Sequence, residues 1–434
     1  MERTDIKFWL SRARGLAVFH GVLETPGVRT MLAVLGLLAK EEPDADAVAE
    51  GYGSLWRELA DAPELLLPDA WRSYLVRGVL EDENPFSLSA EKRTLTPALV
   101  EQTRRELRFL QTIFDLESDA LLRMVEAAAP DFEGFWVAPH FEQQPDVSPR
   151  RGATRMLAEA VDWGDCVEGL AEHFAGHGAG LFGRHAAFRW RGGQLVPVPR
   201  PDPIYLSELV GYERERAPLV ANTQRFLAGL PAHHALLYGP PGTGKSSTVK
   251  ALLNEYSDRG LRIVELDKQD LGELPEVLRT LERRGPRFIL FVDDLSFEEH
   301  EVEYKRLKAF LEGSVEEPPA NVRLYATSNR RNIVREGFSE RDGDDVHARD
   351  TMQEKLSLGA RFGLRVTFPA PDQSRYLQIV SGLARQRGIK LATDEVEEQA
   401  RLWDHWHAGR SGRTARQFVD ELQAEMAEGR NAGL

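Results

Sequence analysis

The second half of the chain contains short apolar runs that each end in polar residues, glycine or proline. The runs are His234–Tyr238, Leu261–Leu266, Phe288–Val292, Val322–Thr327 and Leu364–Phe368. Apolar runs of this length, separated by helical segments, are typical of buried strands in a parallel sheet with helices on both faces. Open sheets of this kind bind ligands at the carboxyl ends of their strands, so the polar residues after each run are candidates for a functional site.

The first 200 residues show apolar positions at helical spacing instead. The helical spans are Trp9–Leu38, Ala49–Ala60, Pro97–Ala129 and Arg155–Phe174. An alternating stretch, Ala186–Val198, surrounds a Gly-Gly pair and predicts a hairpin, and Pro197–Pro203 predicts a stiff linker. We therefore predict a mainly α-helical N-terminal domain over residues 1–200 that ends in a hairpin and a proline-rich linker.

The run His234–Tyr238 leads into a segment that fits the phosphate-binding pattern G-x-x-x-x-G-K-[ST], and a helical segment follows. Glycines in this pattern let main-chain N–H groups turn toward an anion, and the helix N-terminus adds its positive end. The lysine can reach the β- and γ-phosphates, and the serine can ligate Mg²⁺. The predicted binding residues are Gly239, Pro240, Pro241, Gly242, Thr243, Gly244, Lys245, Ser246 and Ser247.

Carboxylates and an amide follow two of the other runs. Asp293 can hold Mg²⁺, and Asp294 can orient or deprotonate an attacking water. Asn329 can contact the γ-phosphate or that water through its side chain. An Asp-rich turn and an ordinary polar strand end are the alternatives for these two segments.

Three arginines complete the candidate site. Arg361 lies between a predicted helix, Asp350–Arg361, and the run Leu364–Phe368. It is either a surface ion-pair residue or an arginine finger that acts on a neighbouring subunit's nucleotide. Arg413 and Arg416 lie one turn apart in a helix that begins at Ser411, and they either face a phosphate or form a solvated basic helix start.

The order of these features resembles the AAA+ ATPase superfamily, from about Pro203 to Ala427. The resemblance implies a P-loop parallel sheet with a helical lid, and ATP and Mg²⁺ as cofactors. It assigns Asp293 and Asp294 to Walker B, Asn329 to sensor 1, Arg361 to the finger, and either Arg413 or Arg416 to sensor 2. It also implies that Leu206–Tyr212 lies over the adenine. The implied domains are an α/β domain over residues 201–370 and a lid over residues 371–434.

A narrower resemblance is to a bacterial family of predicted ATPases known as domain of unknown function 815. It rests on the segments Asp293–Glu298, Tyr325–Arg331, Glu354–Leu358 with Arg361–Leu364, and Ser411–Phe418. The superfamily usually has Glu as the second Walker B acid, whereas this chain has Asp294, with Glu298 and Glu299 as nearby substitutes. Hydrolysis is therefore less strongly indicated than nucleotide binding.

Composition narrows the class of protein. The formal net charge of −14 argues against a chain that coats nucleic acid non-specifically. The apolar run Met31–Ala39 is too short to span a bilayer, no signal-peptide pattern is present, and the single cysteine excludes an internal disulfide. We expect a cytoplasmic protein. The acidic segment Gly337–Arg349 is expected to be a surface insertion or a subunit contact.

The N-terminal domain offers two weaker candidates. Cys166, His173 and His177 suggest a metal site, but no fourth ligand has suitable spacing, which favours a helix end with polar histidines. Phe135 and Trp136 are interpreted as packed anchors rather than as a ligand platform.

The function predicted from the sequence is ATP-driven remodelling of a protein or nucleic-acid target, and the family resemblance implies a homo-oligomeric ring of about six subunits. The alternatives are a slowly hydrolysing nucleotide-gated adaptor or loader and, more distantly, a small-molecule kinase. The N-terminal domain is expected to bind the partner.

Overall fold

The computed structural model describes residues 3–62, 65–142, 150–297, 303–312, 318–329, 359, 361–406 and 409–428. Contacts divide the chain into two compact units. The first comprises Met1–Arg184 and Arg284–Pro286, and the second comprises His185–Arg283 and Arg287–Leu434. Glu298, Glu299, the acidic segment Gly337–Arg349 and most of the predicted helix Asp350–Arg361 lie outside the described residues.

The first unit is mainly helical in its described residues, as the spacing predicts. Its helices are α1 (Arg3–Ala13), α2 (His20–Leu23), α3 (Pro26–Leu38), α4 (Ala45–Ala60), α5 (Ala70–Glu81), α6 (Pro85–Glu91), α7 (Pro97–Phe114), α8 (Ser118–Ala128), α9 (Arg151–Glu159), α10 (Val167–His177) and α11 (Gly180–Arg184). Side-chain caps begin several of them; Asp44, for example, accepts a hydrogen bond from the Ala47 N–H. Buried aliphatic and aromatic side chains from these helices form one core, with Trp71 and Trp163 fully enclosed.

The predicted span Trp9–Leu38 is broken into three helices. In the first break, the carboxylate of Glu106 accepts hydrogen bonds from the main-chain N–H groups of Ala17, Val18 and Phe19, at 2.8 to 3.1 Å. A carboxylate from α7 therefore satisfies amides that a continuous helix would have used. Periodicity within the segment carries no sign of this partner, because it lies 87 to 89 residues away.

The second unit is built on a seven-stranded sheet with the order β2-β1-β4-β5-β6-β3-β7. The strands are β1 (Ala187–Arg191), β2 (Gln194–Pro197), β3 (Ala235–Tyr238), β4 (Leu261–Glu265), β5 (Arg287–Val292), β6 (Val322–Ser328) and β7 (Leu364–Thr367). All neighbouring strands are parallel except β1 and β2. The five strands predicted from apolar runs are confirmed, with ends that differ by a residue.

The predicted hairpin is present as β1 and β2, with Gly192 and Gly193 at positive φ in its turn. β1 also pairs in parallel with β4, where Phe188 lies opposite Val264. The hairpin therefore extends the sheet of the second unit, and the units divide between Arg184 and His185, ahead of it. The alternating pattern predicts the hairpin, but it does not predict that β1 pairs with β4. Any edge strand of suitable length can pair with a hairpin strand.

The second unit contains seven α-helices in its described residues, of which the last three follow β7. They are α12 (Glu213–Leu227), α13 (Lys245–Tyr256), α14 (Leu274–Glu282), α15 (Glu303–Glu312), α16 (Gln373–Gln386), α17 (Thr393–Trp406) and α18 (Gly412–Ala427). The last three form the predicted helical lid, and Phe418, Val419 and Leu422 of α18 are buried in the core of the unit. Among the described helices of the chain, none is long and apolar enough to cross a bilayer.

Candidate functional site

Parallel pairing places the ends of three strands side by side. Val292 of β5 lies opposite Ala326 of β6, and Ser328 of β6 lies opposite Tyr238 of β3. The chain segments that leave β5, β6 and β3 therefore emerge at one edge of the sheet, as expected for the carboxyl ends of parallel strands. The Walker B candidates Asp293 and Asp294, the sensor 1 candidate Asn329 and the phosphate-binding loop follow these three ends.

The loop between β3 and α13 requires glycine at two close approaches. Gly239 has a φ of 152°, and a Cβ there would lie 2.0 Å from the carbonyl oxygen of Phe368. Gly242 has a φ of 76°, and a Cβ there would lie 2.9 Å from the side chain of Ser411. The loop therefore packs against β7's end and the start of α18 without room for side chains. The loop leads directly into the N-terminus of α13, where an anion is favoured.

Lys245 is the first residue of α13, and its side chain is buried beneath the loop. Its Nζ donates to the carbonyl oxygens of Gly239 and Pro240, both at 2.8 Å, and to Oδ1 of Asn329 at 3.1 Å. Burial lowers the pKa of Lys245, and the carboxylates of Asp294 and Asp293 oppose that effect. The ammonium group is thus held at the loop, where a bound phosphate would replace the two carbonyls as its hydrogen-bond partner.

Asp293 is bound by two hydroxyl groups. Ser246 Oγ donates to Oδ1 of Asp293 at 2.6 Å, and Thr327 Oγ1 donates to the same oxygen. A hydroxyl and a carboxylate oxygen are ligands that suit Mg²⁺, and their separation allows both to reach one ion. The two residues predicted to be metal ligands are therefore adjacent. Among the described residues, no group of three or more His, Cys, Asp or Glu side chains is arranged to hold a metal ion.

Asp294 has a φ of 51°, in the left-handed region that non-glycine residues rarely adopt. Its N–H donates to Thr327 Oγ1 at 2.9 Å, and its Oδ1 accepts from Asn329 Nδ2 at 2.7 Å. A residue held in this region costs on the order of 1–3 kcal/mol and persists where its surroundings fix it. Here Thr327 of β6 and Asn329, which follows that strand, supply the two fixing bonds.

The side chain of Asn329 bonds to both Lys245 and Asp294. Its amide oxygen accepts from Lys245, and its amide nitrogen donates to Asp294. The amide orientation agrees with both partners, because a cation needs the oxygen and a carboxylate needs the nitrogen. The sensor 1 candidate therefore contacts both the lysine of the loop and the second Walker B acid.

The lid closes the opposite side of the loop. Ser411 caps α18 through a capping box with Thr414, and the Gly412 N–H donates to the Gly242 carbonyl at 2.8 Å. Arg413 and Arg416 follow in the first turns of α18 and both line the cavity described below. The geometry places both sensor 2 candidates on one surface, with Arg413 nearer to the loop, since its Cβ lies 3.4 Å from a Cβ built at Gly242.

The segment Leu206–Tyr212, which is expected to lie over the adenine, contributes to the same cavity. Leu209 and Val210 line it together with Ile379 and Leu383 of α16. Arg216 of α12, which is buried, donates to the main-chain carbonyls of Leu209, at 2.7 Å, and of Gly211. Sequence reasoning did not single out Arg216, because an arginine early in an amphipathic helix is usually solvated.

These elements enclose one cavity of about 490 Å³ within the second unit. Its lining residues are Glu208, Leu209, Val210, Tyr212, Arg216, Pro241, Gly242, Thr243, Gly244, Lys245, Ser246, Ser247, Asp293, Asp294, Thr327, Asn329, Ile379, Leu383, Gly412, Arg413 and Arg416. Gly239 and Pro240 contribute the carbonyls that hold Lys245. Arg361 is exposed and is not among the described residues that line the cavity. The predicted site residues other than Arg361 are therefore gathered around a single cavity.

The candidate metal ligands of the first unit do not form a comparable site. His173 is buried and its ring stacks on that of His177, whose Nδ1 contacts the His173 carbonyl at 3.1 Å. Burial raises the pKa of the Cys166 thiol, which disfavours the thiolate that a metal needs. Of the two aromatic candidates, Trp136 packs on Tyr52 and Phe132, while Phe135 is 72% exposed.

The phosphate-binding loop, the parallel sheet and the helical lid together define the AAA+ class of P-loop ATPases. A family model described as "protein of unknown function (DUF815)" matches residues 183–426, which is more than half of the chain. The chain belongs to this family. Both resemblances expected from the sequence are thus confirmed.

Relatives with assigned names match a smaller part of the chain. A 26S proteasome regulatory subunit 6B homolog of Schizosaccharomyces pombe is 27% identical over 209 residues, covering 39% of this chain and 54% of its own length. The proteasome-activating nucleotidase of Methanocaldococcus jannaschii is 28% identical over 183 residues, covering 40% of this chain and 39% of its own. The chain therefore spans about half the length of these relatives or less.

Solved structures give a weaker likeness. The RuvB Holliday junction branch migration motor of Thermotoga maritima is 19% identical, with a TM-score of 0.38, covering 52% of this chain and 66% of that one.

Proposed function

We propose that this protein is a Mg²⁺-dependent ATPase that assembles into a ring and uses ATP hydrolysis to remodel a protein or nucleic-acid partner. The observation that carries the proposal is the convergence of Lys245, Asp293, Asp294 and Asn329 on one cavity that the lid arginines also line. The cytoplasmic location expected from the sequence is part of the same proposal.

The residues divide the chemistry between them. The loop amides and Lys245 bind the phosphates, while Leu209 and Val210 contact the base. Ser246 and Asp293 are the residues that would hold Mg²⁺, which would supply positive charge that offsets the phosphates. Asp294 orients the attacking water and accepts its proton, and Asn329 holds the Asp294 carboxylate in place.

Nucleotide binding is tested first by Lys245→Ala. We expect the affinity for Mg·ATP to collapse, because the variant lacks the ammonium group that would donate charged hydrogen bonds to the phosphates. Lys250→Ala, which removes an exposed lysine from the same helix, is the matched control. Calorimetry measures both, and wild-type affinity and turnover in Lys245→Ala would remove the nucleotide-site assignment.

A slowly hydrolysing nucleotide switch is the second candidate, and Asp294 favours it, since this acid is one methylene shorter than the usual Glu. Phosphate release from the purified wild type separates the two functions. The remodelling proposal requires multiple turnovers, whereas a switch remains bound to nucleotide after at most one. Asp294→Asn is expected to bind ATP and to hydrolyse it far more slowly; if it turns over normally, the water is activated by another residue.

Assembly is tested through Arg361, whose exposed position outside its own cavity supports action on a neighbouring subunit. Arginine fingers raise turnover roughly 10³–10⁵-fold, so Arg361→Ala should bind ATP and hydrolyse it poorly. Mixing Arg361→Ala with Lys245→Ala should restore some activity, because an Arg361→Ala subunit still binds ATP and can borrow Arg361 from a Lys245→Ala neighbour. Arg365→Ala, an exposed arginine on β7, should leave turnover unchanged. A chain that stays monomeric with ATP and shows no rescue on mixing is incompatible with the finger.

A further inference from the structure

Thr327 is a buried threonine near the end of β6, with 1% of its surface exposed. Its neighbours along the strand on the N-terminal side, Tyr325 and Ala326, are fully buried in the sheet. A hydroxyl at this depth needs partners, since an unpaired buried polar group is costly. Both of its partners belong to the segment that leaves β5.

The hydroxyl of Thr327 connects the two Walker B acids. Oγ1 donates to Oδ1 of Asp293 and accepts from the N–H of Asp294 at 2.9 Å. The main-chain carbonyl of Thr327 also accepts from the Leu295 N–H at 2.7 Å. One residue therefore orients the carboxylate of the first acid and fixes the main chain of the second.

We propose that Thr327 is a positioning residue that sets the carboxylate of Asp293 for Mg²⁺ and holds Asp294 in its left-handed conformation. This inference rests on the proposed function, because it concerns how the same site reaches its working geometry. Thr327 acts through the two acids and is not itself assigned a contact with substrate.

The arrangement of donors on Asp293 explains why a second hydroxyl is needed. Oδ1 of Asp293 accepts from Ser246 at 2.6 Å and from Thr327. The serine hydroxyl is the one that phosphate-binding loops use as a metal ligand. The bond from Thr327 does not depend on that hydroxyl, so it can keep the carboxylate oriented when Ser246 changes partner.

The conformation of Asp294 gives an independent reason. Its φ of 51° is unfavourable for a side chain, and its N–H points to Thr327 Oγ1. Without that acceptor, the turn would relax toward an ordinary φ and carry the Asp294 carboxylate away from Asn329. Thr327 and Asn329 are two residues apart on one strand end, so both bonds depend on the same register of β5 and β6.

Three variants test this role. Thr327→Val keeps the shape and removes the hydroxyl, while Thr327→Ser keeps the hydroxyl. Thr223→Val is the matched control, because Thr223 is a buried threonine of the same unit that bonds to Tyr325 at 2.8 Å and does not line the cavity. Calorimetry with ATP, in the presence and absence of Mg²⁺, and steady-state kinetics are measured for each.

We expect Thr327→Val to bind metal-free ATP within about twofold of wild type, since the P-loop is unchanged. Two quantities should each fall roughly 10–100-fold: the increase in ATP affinity on adding Mg²⁺, and kcat. Losses of this size are typical when a residue that orients a metal ligand is removed. KM for ATP, measured with Mg²⁺, should rise as that Mg²⁺-dependent affinity is lost. Thr327→Ser should recover most of both losses, and Thr223→Val should show neither.

The outcomes separate this inference from the proposed function. If Thr327→Val keeps the wild-type Mg²⁺ effect and kcat while Asp293→Ala loses Mg²⁺ dependence, the nucleotide site stands and the role of Thr327 is refuted. If Asp293→Ala is also unaffected, both the site and the inference fail. If Thr327→Val does not fold, hydrogen exchange at the Asp294 amide of the wild type decides: protection supports the bond, and exchange as fast as in an exposed loop overturns it.

Discussion

His234, at the start of the strand that leads into the phosphate-binding loop, should make folding of the second unit pH-dependent. Its Nδ1 accepts from the Leu324 N–H at 3.0 Å, and its ring packs on Phe310 at 5.1 Å between centroids. Burial, followed by the nearby charge of Arg323, lowers the pKa of His234 from 6.5 to about 4. An imidazole that accepts at Nδ1 is neutral at that atom, so protonation there breaks the bond to β6.

The sign and size of the effect follow from proton linkage. Between pH 4 and pH 6.5 the unfolded chain binds a proton at His234 that the folded chain does not, so stability rises with pH across this window. The contribution is fully present above the unfolded pKa and is lost as the pH falls toward the folded one. At about 1.4 kcal/mol per pKa unit, the difference corresponds to roughly 3 kcal/mol, and partial exposure of the side chain reduces our expectation to about 2 kcal/mol.

The test compares urea unfolding of the wild type and His234→Asn at intervals between pH 4.5 and pH 7.5. Asn places an acceptor close to the position of Nδ1 and does not titrate, so it should be less stable at neutral pH yet lose less stability on acidification. His233→Gln is the control, because that neighbouring side chain is exposed. Equal losses for the wild type and His234→Asn would refute the reasoning and assign the acid sensitivity to the carboxylates.

The remaining predictions concern the cavity and the first unit. Arg413→Ala should reduce turnover more than Arg416→Ala in a phosphate-release assay, because Arg413 lies nearer the loop; the reverse order would assign sensor 2 to Arg416. Arg216→Gln should raise KM for ATP roughly tenfold with little change in kcat, since it releases the two carbonyls beside the base. Glu106→Gln should lower the free energy of unfolding by about 1–3 kcal/mol, because its NH₂ group would face main-chain N–H donors. Glu101→Gln, at an exposed position of the same helix, should change the free energy of unfolding little. Similar melting of the two variants would contradict this role of Glu106.

The parts of the site that could be predicted from the sequence are those whose residues are contiguous or end an apolar run. Gly239–Ser246 is one segment, and Asp293 and Asn329 each follow a strand, so the pattern alone places them at one sheet edge. Arg216 and Thr327 were missed as contributors because their roles depend on partners in other segments. Thr327 faces Asp293 only because Ala326 pairs with Val292, and no local pattern carries that register.

The same distinction holds for the fold. Apolar runs located β3 to β7, since a strand buried on both faces has a local signature. The place of β1 beside β4 and the break in the first helical span depend on contacts over long sequence distances, through Phe188 and Glu106. Glu298 and Glu299, the proposed substitutes for Asp294, lie outside the described residues and remain predictions, as do the roles given to the site residues.

The departure from the usual Walker B pattern has a local explanation in the turn itself. Asp294 occupies the left-handed region, which Asp and Asn tolerate better than Glu because a short polar side chain can bond close to its own main chain. Its carboxylate accepts a hydrogen bond from Asn329 at 2.7 Å, so the Asp side chain is long enough to reach that amide. Glu at this position would bear a greater conformational cost and would extend past that amide. The shorter acid is therefore matched to this turn, and phosphate release from the wild type decides whether the match comes with slow hydrolysis or with rapid turnover.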